Sequence, residues 1–462
     1  MAAGRCYELV PREVPRVETR YRRIVTPFPV PESIPLLQDL RAYEPQSMEG
    51  QPPVIWDRAD GCQVYDPYGN MWLDFSSGVL VTNAGHGRKE IAEAVIEQAN
   101  RRLLTHYCFP GEPRRGLAKR LVELAPDRLD KAFILTTGSE AVECAIKLSR
   151  AHGLAVGGPE KLVIVSFTGA FHGRTLASQL AGGIPALKDW IGPLDPTFVQ
   201  VPYPDGFRCE DTSFELFERT LAQKGIAPER VCGVLTETFQ GGNATFLPVE
   251  YMQRLRAWCD EHDVVLTCDE IQAAFGRTGT MWGFEHYGIV PDLMTLGKGI
   301  SSSLPISAVV GTEALLNQFP PGSMTSTHTG NPICSAAACA NIDLILREHL
   351  IDHARDVGQV LQAELTAIKD RFTDVIGAVG GRGMVAAAQC IVPGTKDPDA
   401  DLAWDVVRRC VESGLLFFSP VGFGGGTIKI CPPLCTEQAA IQDGCQVLGS
   451  SFEAVLAGRA KA

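Results

Sequence analysis

Val264-Val265-Leu266-Thr267-Cys268-Asp269 is an apolar, β-branched run that ends in an acid and continues as Glu270-Ile271-Gln272. A second run, Asp292-Leu293-Met294-Thr295-Leu296, leads into Gly297-Lys298-Gly299. Each pattern predicts a buried strand with a charged residue at its carboxyl end. Because an isolated charge is costly to bury, an acid and a lysine in these places indicate a functional site. A lysine flanked by glycines can approach a ligand closely, as a lysine that forms a Schiff base must.

Composition limits the class of protein. The chain has 462 residues, of which 45% are hydrophobic, with a mean hydropathy of +0.03. These values are typical of a soluble globular protein with two or three domains. Its 54 acids and 42 bases give a net charge of -12, and no basic stripe is present. We therefore expect neither nucleic acid nor a membrane as a partner.

The 15 cysteines are scattered and odd in number. They form no Cys-x-x-Cys pair, and the histidines show no ligand spacing, so we expect no metal site. Free cysteines on this scale suit a reducing compartment, and the first residues lack the apolar run of a signal peptide. The sequence therefore predicts a cytoplasmic protein.

The N-terminal segment is rich in proline and arginine. Pro27, Pro29, Pro31 and Pro35 fall in one short window, which favours an extended arm over a helix. Arms of this kind often lie on a partner subunit. We interpret residues 1–79 as this arm together with part of a small domain.

Residues 80–343 are interpreted as a large domain in which strands and helices alternate. The predicted strands are 132–136, 162–166, 232–237, 264–268, 292–296 and 306–310, with amphipathic helices over 140–152 and 249–262. This alternation predicts an α/β fold with a mostly parallel sheet covered by helices. Ligands of open sheets bind beyond the carboxyl ends of the strands, where Asp269 and Lys298 fall.

Residues 344–462 are interpreted as a smaller α+β domain. A long helical stretch is followed by glycine- and proline-rich segments at 377–383 and 422–433, which we expect to separate short strands.

A candidate phosphate site lies where the strand ending near Thr136 turns into a helix. Gly138 and Ser139 could offer free N–H groups to an anion, although a plain helix cap by Thr137 or Ser139, with Glu140 in the first turn, explains the same pattern. Phe171 could stack on a flat cofactor or simply belong to the core. Arg174 could clamp a substrate carboxylate or pair structurally.

Taken together, these segments resemble the class III aminotransferases, a pyridoxal-phosphate family that includes the ornithine, acetylornithine and 4-aminobutyrate aminotransferases. The resemblance runs from about residue 55 to about residue 440. It is carried by Asp269-Glu270-Ile271-Gln272 with Phe275-Gly276-Arg277-Thr278-Gly279, and by Pro291-Asp292 leading to Lys298. Further matches are residues 74–87, 137–147 and 171–175, Glu237 with Gln240-Gly241, Thr327 before Gly330-Asn331-Pro332, and Pro432-Pro433-Leu434.

The resemblance implies a fold-type-I enzyme that uses pyridoxal 5'-phosphate. Lys298 would hold the cofactor and carry the proton, and Asp269 would pair with the ring nitrogen. The implied cofactor contacts are the phenolic oxygen for Gln272, the ring face for Phe171 and the phosphate for Gly138 and Ser139, with His172 and Glu237 alongside. Thr327 would reach the phosphate of the neighbouring subunit, so the resemblance implies a homodimer or higher homo-oligomer with shared sites. Arg174, Lys429 and Val79 are the expected substrate contacts. A buried salt bridge between Lys298 and Asp269 is the structural alternative.

Two positions depart from the family pattern. Many members have Glu-Pro-x-Gln-Gly-Glu, whose last acid holds an arginine just before the Pro-Pro, whereas this chain has Gly242 and Lys429 at those places. A lysine meets a carboxylate as a point charge and not as a fork. The use of 2-oxoglutarate is therefore in question, and pyruvate or glyoxylate are alternative acceptors.

We therefore predict a transaminase that moves an amino group from an ω-amino acid or amine to a 2-oxo acid by a ping-pong mechanism. The alternative enzymes are an ammonia- or phospho-lyase, a racemase or a decarboxylase on the same scaffold, none of which needs the acceptor arginine. A silent scaffold is disfavoured because every cofactor-contacting position is intact.

Overall fold

The computed structural model describes residues 5–461. The chain forms two compact units. Among the described residues, the large unit comprises 89–241 and 245–351, and the small unit comprises 5–88, 242–244 and 352–461.

The large unit is built on a seven-stranded sheet. Its strands in chain order are β6 (Lys131–Leu135), β7 (Val163–Phe167), β8 (Phe198–Val201), β9 (Val231–Glu237), β10 (Val265–Asp269), β11 (Leu293–Leu296) and β12 (Ser307–Gly311). The spatial order is β6-β12-β11-β10-β9-β7-β8. Only β12 runs antiparallel to its neighbours, so the mostly parallel sheet predicted from the sequence is confirmed.

The sequence did not reveal β8. This edge strand has one buried residue in two, whereas β7, β9, β10, β11 and β12 are buried throughout. Full burial explains why the inner strands are continuous apolar runs, which are easier to recognise than a short edge strand that follows several turns.

Helices cover the sheet of the large unit. They are Lys89–Asn100, Glu112–Leu124, Gly138–Gly157, Leu176–Ala181, Glu215–Gln223, Val249–Glu261, Glu313–Leu316 and Pro332–Arg347. The helix Gly138–Gly157 contributes Ala141, Cys144, Ala145 and Leu148 to a core cluster with residues of β6, β10, β11 and β12. Its neighbours Val142 and Ile146 pack in a second cluster that includes Ile271. The helix therefore packs on four strands of the sheet through the first cluster and on the segment that follows Asp269 through the second.

The small unit contains two further sheets. One is formed by β1 (Val17–Glu18), β2 (Arg23–Ile24), β3 (Arg58–Asp60), β4 (Gln63–Tyr65), β5 (Met71–Asp74) and β15 (Leu415–Leu416). The other is an antiparallel sheet of β13 (Ile376–Arg382), β14 (Val385–Cys390) and β16 (Thr427–Ile430). Its helices are Ile34–Tyr43, Ala400–Glu412, Gln438–Arg459 and nearly all of Leu350–Arg371.

The N-terminal segment differs from the expected extended arm. Residues Ile34–Tyr43 form a helix, and Pro35 occupies its first turn. Proline is tolerated there because the first N–H groups of a helix have no partner within the helix. The expectation was therefore wrong for Pro35, whereas Pro27 and Pro29 precede the helix in non-helical backbone.

A glycine-rich strand of the small unit was not predicted. Residues 377–383 were expected to separate strands, but β13 runs through most of them and pairs with β14. A Cβ at Gly381 would come within 2.1 Å of the carbonyl oxygen of Val385, so the glycine permits the close backbone approach.

Several general features concern possible partners and ligands. All 15 cysteines are free. Within residues 5–461 no group of three or more His, Cys, Asp or Glu side chains is arranged to hold a metal ion. None of the helices described is both long and apolar enough to cross a membrane.

Candidate active site

Strands β10 and β11 lie side by side and place Asp269 opposite Thr295. The hydroxyl of Thr295 and the backbone N–H of Ile271 both donate to Oδ1 of Asp269, over 3.1 Å each. Asp269 is only 4% exposed. Two donors on one oxygen therefore hold a buried carboxylate in a fixed orientation.

His172 completes the surroundings of Asp269. Its Nδ1 lies 2.8 Å from Oδ2 of Asp269, and its side chain is fully buried. The other ring nitrogen, Nε2, is buried and has no hydrogen-bond partner among residues 5–461. From the sequence, His172 was expected among the cofactor contacts without an assigned partner. In the structure His172 pairs with Asp269, the proposed catalytic acid.

Lys298 follows β11 in a strained conformation. Its φ is 45°, in the left-handed region that is unfavourable for a residue with a Cβ. Burial lowers the pKa of the Lys298 ammonium from its usual value, and the nearby carboxylates of Asp269 and Glu237 act in the opposite direction. A lowered pKa favours the neutral amine, which is the nucleophilic form.

Glu237 joins several segments of the site. Its Oε2 accepts the backbone N–H of Phe171 over 3.1 Å, and its Oε1 accepts the N–H of Gly241 over 2.9 Å. The amide of Gln272 donates to the same Oε1 over 3.4 Å. Burial raises the pKa of Glu237 to about 7, while the charge of His172 favours the ionised form.

The helix Gly138–Gly157 begins with a capping box. Thr137 accepts the N–H of Glu140, and Glu140 accepts the N–H groups of Thr136 and Thr137. The helix cap that was considered for this segment is therefore present, with Thr137 as the capping residue. However, the part of the chain that the structure describes provides no acceptor for the N–H of Gly138 or Ser139. The cap and an anion site therefore use different N–H groups and can coexist.

Ser139 also connects this helix to the segment of Phe171. Its hydroxyl accepts the backbone N–H of Arg174 over 3.1 Å. The exposed guanidinium of Arg174 lies 5.7 Å from the ring centre of Phe171. Phe171 itself is only partly buried, which leaves part of its ring available to a ligand.

Thr327 is placed differently from these residues. It is exposed on a turn after residue 326, and no hydrogen bond of its side chain to another site residue is found within residues 5–461. The large unit thus brings together Gly138, Ser139, Phe171, His172, Glu237, Asp269, Gln272 and Lys298, and leaves Thr327 on its surface.

The other predicted residues belong to the small unit. Lys429 lies in β16 and is 4% exposed. Thr427 is on the same face of that strand, since side chains alternate, and its hydroxyl donates to Asn243 over 2.8 Å. The face of β16 that carries Lys429 is therefore the face from which Thr427 contacts the short segment that contains Gly242.

Val79 lies in a turn with a left-handed backbone. Ser77, Gly78, Val79 and Leu80 all have φ between 48° and 68°. The side chain of Val79 is 46% exposed. A run of left-handed residues with a β-branched member has no signature in the local sequence, so it could not have been predicted.

Comparisons with known proteins agree on one family. Residues 45–452 match the family model described as aminotransferase class III. The chain is 33% identical over 410 residues to the 4-aminobutyrate aminotransferase GabT of Escherichia coli K12, covering 87% of this chain and 94% of that protein. It is 32% identical over 412 residues to the acetylornithine aminotransferase of Agrobacterium fabrum, covering 88% and 96%.

Solved structures agree with this assignment. The ornithine aminotransferase from Toxoplasma gondii ME49 superposes with a TM-score of 0.82 at 26% identity, covering 92% of this chain and 96% of that chain. An amine transaminase from an uncultivated Pseudomonas species, solved with pyridoxal phosphate bound, superposes with a TM-score of 0.80 at 26% identity, covering 87% and 94%. The chain belongs to the class III aminotransferase family and is a pyridoxal-phosphate-dependent aminotransferase of fold type I.

Proposed function

We propose that this enzyme transfers an amino group from an ω-amino acid or an amine to a 2-oxo acid, with Lys298 and Asp269 as its catalytic residues. The observation that carries the proposal is the buried pair of Asp269 and His172, close enough to Lys298 for the carboxylate to influence the pKa of its amine. The relatives that act on 4-aminobutyrate and acetylornithine support an ω-amino donor.

The residues present fit pyridoxal phosphate. The N–H groups of Gly138 and Ser139 have no other acceptor among the described residues and suit a phosphate at a helix start. Phe171 would cover the ring face, and Gln272 would donate to the phenolic oxygen. Glu237 would orient both of these residues, because its carboxylate holds the backbone of Phe171 and the amide of Gln272.

When bound, pyridoxal phosphate supplies an electron sink for the carbon that loses a proton. Asp269 would keep the ring nitrogen protonated, and the contact with His172 would hold the carboxylate in place. Lys298 would bind the cofactor and move the proton between the substrate carbon and C4′, which requires a neutral amine at that stage. Burial of Lys298 favours this form.

We assign substrate contacts to Arg174, Lys429 and Val79. The planar guanidinium of Arg174 is exposed and suits a carboxylate. The cation of Lys429 would meet the acceptor as a single charge. Val79 would offer an apolar surface, since almost half of its side chain is exposed.

We also propose a homodimer with shared sites in the cytoplasm. Leu103, Leu104, Tyr107 and Phe109 are 42 to 73% exposed within one short segment. That segment is bound to the turn of Thr327, because Tyr107 contacts the hydroxyl of Thr325 over 3.1 Å and Asn331 donates to the carbonyl of Leu104 over 3.0 Å. An exposed apolar patch beside Thr327 supports a partner subunit at this place. The fifteen free cysteines support a reducing compartment.

The function is tested with a panel of amino donors. The purified holoenzyme is mixed with each ω-amino acid or amine, and the cofactor absorbance is followed until a 2-oxo acid is added. We expect conversion to the pyridoxamine form by the true donor and reversal by the acceptor. Lys298→Ala should bind the cofactor noncovalently and show less than about a thousandth of the turnover, because it lacks both nucleophile and proton carrier.

Two results would contradict the proposal. Release of ammonia without an acceptor would identify a lyase instead. A Lys298→Ala variant that still formed a borohydride-reducible bond to the cofactor would show that another residue is the nucleophile.

A further inference from the structure

A cavity of about 400 Å³ lies in the large unit beside the segment that carries Phe171. Its lining includes Thr168, Gly183, Lys188, Asp189 and Gln200. Gly183 is bound to this segment in both directions, since its carbonyl accepts the N–H of Gly169 and its N–H donates to Ala170. The cavity thus borders the backbone that precedes Phe171 and involves none of the proposed cofactor contacts.

Lys188 gives this cavity a buried cation. The residue is 6% exposed, and its ammonium donates to the carbonyl of Leu180 over 2.9 Å and to Oε1 of Gln200 over 3.1 Å. Both acceptors are neutral. An ammonium has three N–H donors, so one remains after these two contacts.

No counterion balances this charge within the described part of the chain. Lys188 forms no ion pair with any carboxylate there. Burial lowers the pKa of its ammonium, with no opposing charge among the causes. The contact with Leu180 accounts for one N–H of Lys188, which donates to a carbonyl at the end of a short helix. A neutral donor could make the same contact, so it does not account for a buried charge beside an open cavity.

We propose that this cavity binds a small oxyanion, a phosphate or carboxylate group, through the ammonium of Lys188. The remaining N–H of Lys188 would donate to the anion as a charge-assisted hydrogen bond. Asp189 lines the same cavity and is exposed, so its carboxylate would oppose binding and keep the affinity moderate.

The site is tested by calorimetric titration of inorganic phosphate into the holoenzyme saturated with pyridoxal phosphate, and by a parallel titration with acetate. Lys188→Met keeps the apolar stem and removes the charge, and it should weaken binding by about tenfold or more. Asp189→Asn should tighten binding by removing a like charge. Lys224→Met, which removes an exposed lysine of the same unit, should change nothing. Lys188→Arg should retain most of the binding, which shows that loss in Lys188→Met is due to charge.

Each outcome decides the matter. Binding of phosphate alone identifies a phosphoryl group as the ligand, and binding of both anions identifies any small oxyanion. Equal affinity of the parent and Lys188→Met would overturn the proposal, as would the absence of saturable heat in the millimolar range with either anion. Because none of these four variants changes a residue assigned to transamination, failure here leaves the proposed function intact.

Discussion

At the scale of single residues, Glu237 is a carboxyl group that is buried and yet surrounded by hydrogen-bond donors. Three N–H groups, from Phe171, Gly241 and Gln272, point at its carboxylate. Burial nevertheless raises its pKa to about 7, from an ordinary value of 4.5. The group is therefore mostly neutral below pH 7 and mostly ionised above it. Its negative charge also raises the pKa of Lys298, so the two residues are coupled.

We expect Glu237→Gln to remove an inflection near pH 7 from the pH profile of kcat/KM. The amide cannot ionise, so the charge near Lys298 stays constant, and the pKa read from the cofactor absorbance should fall relative to that of the parent enzyme. Glu270→Gln is a matched control, because burial raises the pKa of Glu270 to about 7 as well, but its carboxylate holds the N–H groups of Gly283 and Phe284. If the inflection persisted in Glu237→Gln and vanished in Glu270→Gln, the group that titrates would be Glu270, and the assignment to Glu237 would be wrong.

At the scale of elements, the turn Ser77–Leu80 shows strain that the fold tolerates. Left-handed backbone costs roughly 1–2 kcal/mol for a residue with a Cβ. Val79 has a φ of 68° and buries only about half of its side chain. Hydrogen bonds hold the turn, since Ser77 donates to the carbonyl of Cys431 over 2.5 Å and Ser76 donates to Asp74 over 2.6 Å. The strain therefore persists because of neighbouring contacts, as is typical of functional sites.

Val79→Gly should raise the melting temperature of the holoenzyme, corresponding to a gain of about 0.5–1 kcal/mol after the entropy cost of glycine. Its KM for the amino donor should rise, because the proposed apolar contact is lost. Val79→Ala keeps the positive φ and should show no gain in stability. A melting temperature that fell in Val79→Gly would mean that the side chain contributes more through packing than the backbone loses through strain.

The structure around Gly242 limits the substitutions that could restore the family pattern at the acceptor site. The family pattern would be restored by Gly242→Glu together with Lys429→Arg. A Cβ at Gly242, however, would lie 3.1 Å from Cα of Gly422. Gly422 has a φ of 73° and is itself confined by Asn243 and Thr427. The two glycines permit a close backbone contact, so an acid at 242 requires the 422 segment to move.

We therefore expect Lys429→Arg alone to raise the ratio of kcat/KM for 2-oxoglutarate over pyruvate by about tenfold, because a fork replaces a point charge. The ratio is the readout, since a larger buried side chain also lowers stability. Gly242→Ala should lower the melting temperature and leave the ratio unchanged. Steady-state kinetics of both acceptors with one donor measure this. An unchanged ratio in Lys429→Arg would show that Lys429 does not contact the acceptor.

At the scale of the whole molecule, the sequence was most informative where burial is complete. The strands ending at Asp269 and Leu296 are buried throughout, so their apolar runs revealed both the sheet and the acid and lysine that follow. The edge strand Phe198–Val201 and the glycine-rich strand Ile376–Arg382 carry weaker patterns, because exposure and close backbone packing remove the apolar signal. His172 and Asp269, which pair in the site, are 97 positions apart in the chain, and Phe171 and Glu237 are 66 positions apart. No local pattern specifies such contacts.

Shared sites make the homodimer testable by mixing variants. Thr327→Val should weaken cofactor retention by about tenfold, since a hydroxyl contact to a phosphate is charge-assisted. Lys298→Ala should inactivate the site to which its own chain contributes residue 298. If Thr327 acts on the neighbouring subunit, a dimer of one Lys298→Ala chain and one Thr327→Val chain has one site with both defects and one with neither. Co-expressed, differently tagged chains should then recover up to half of the parent activity per dimer at limiting cofactor. If Thr327 acts within its own chain, no site of the mixed dimer is intact, and its activity at limiting cofactor would not exceed that of the Thr327→Val half alone.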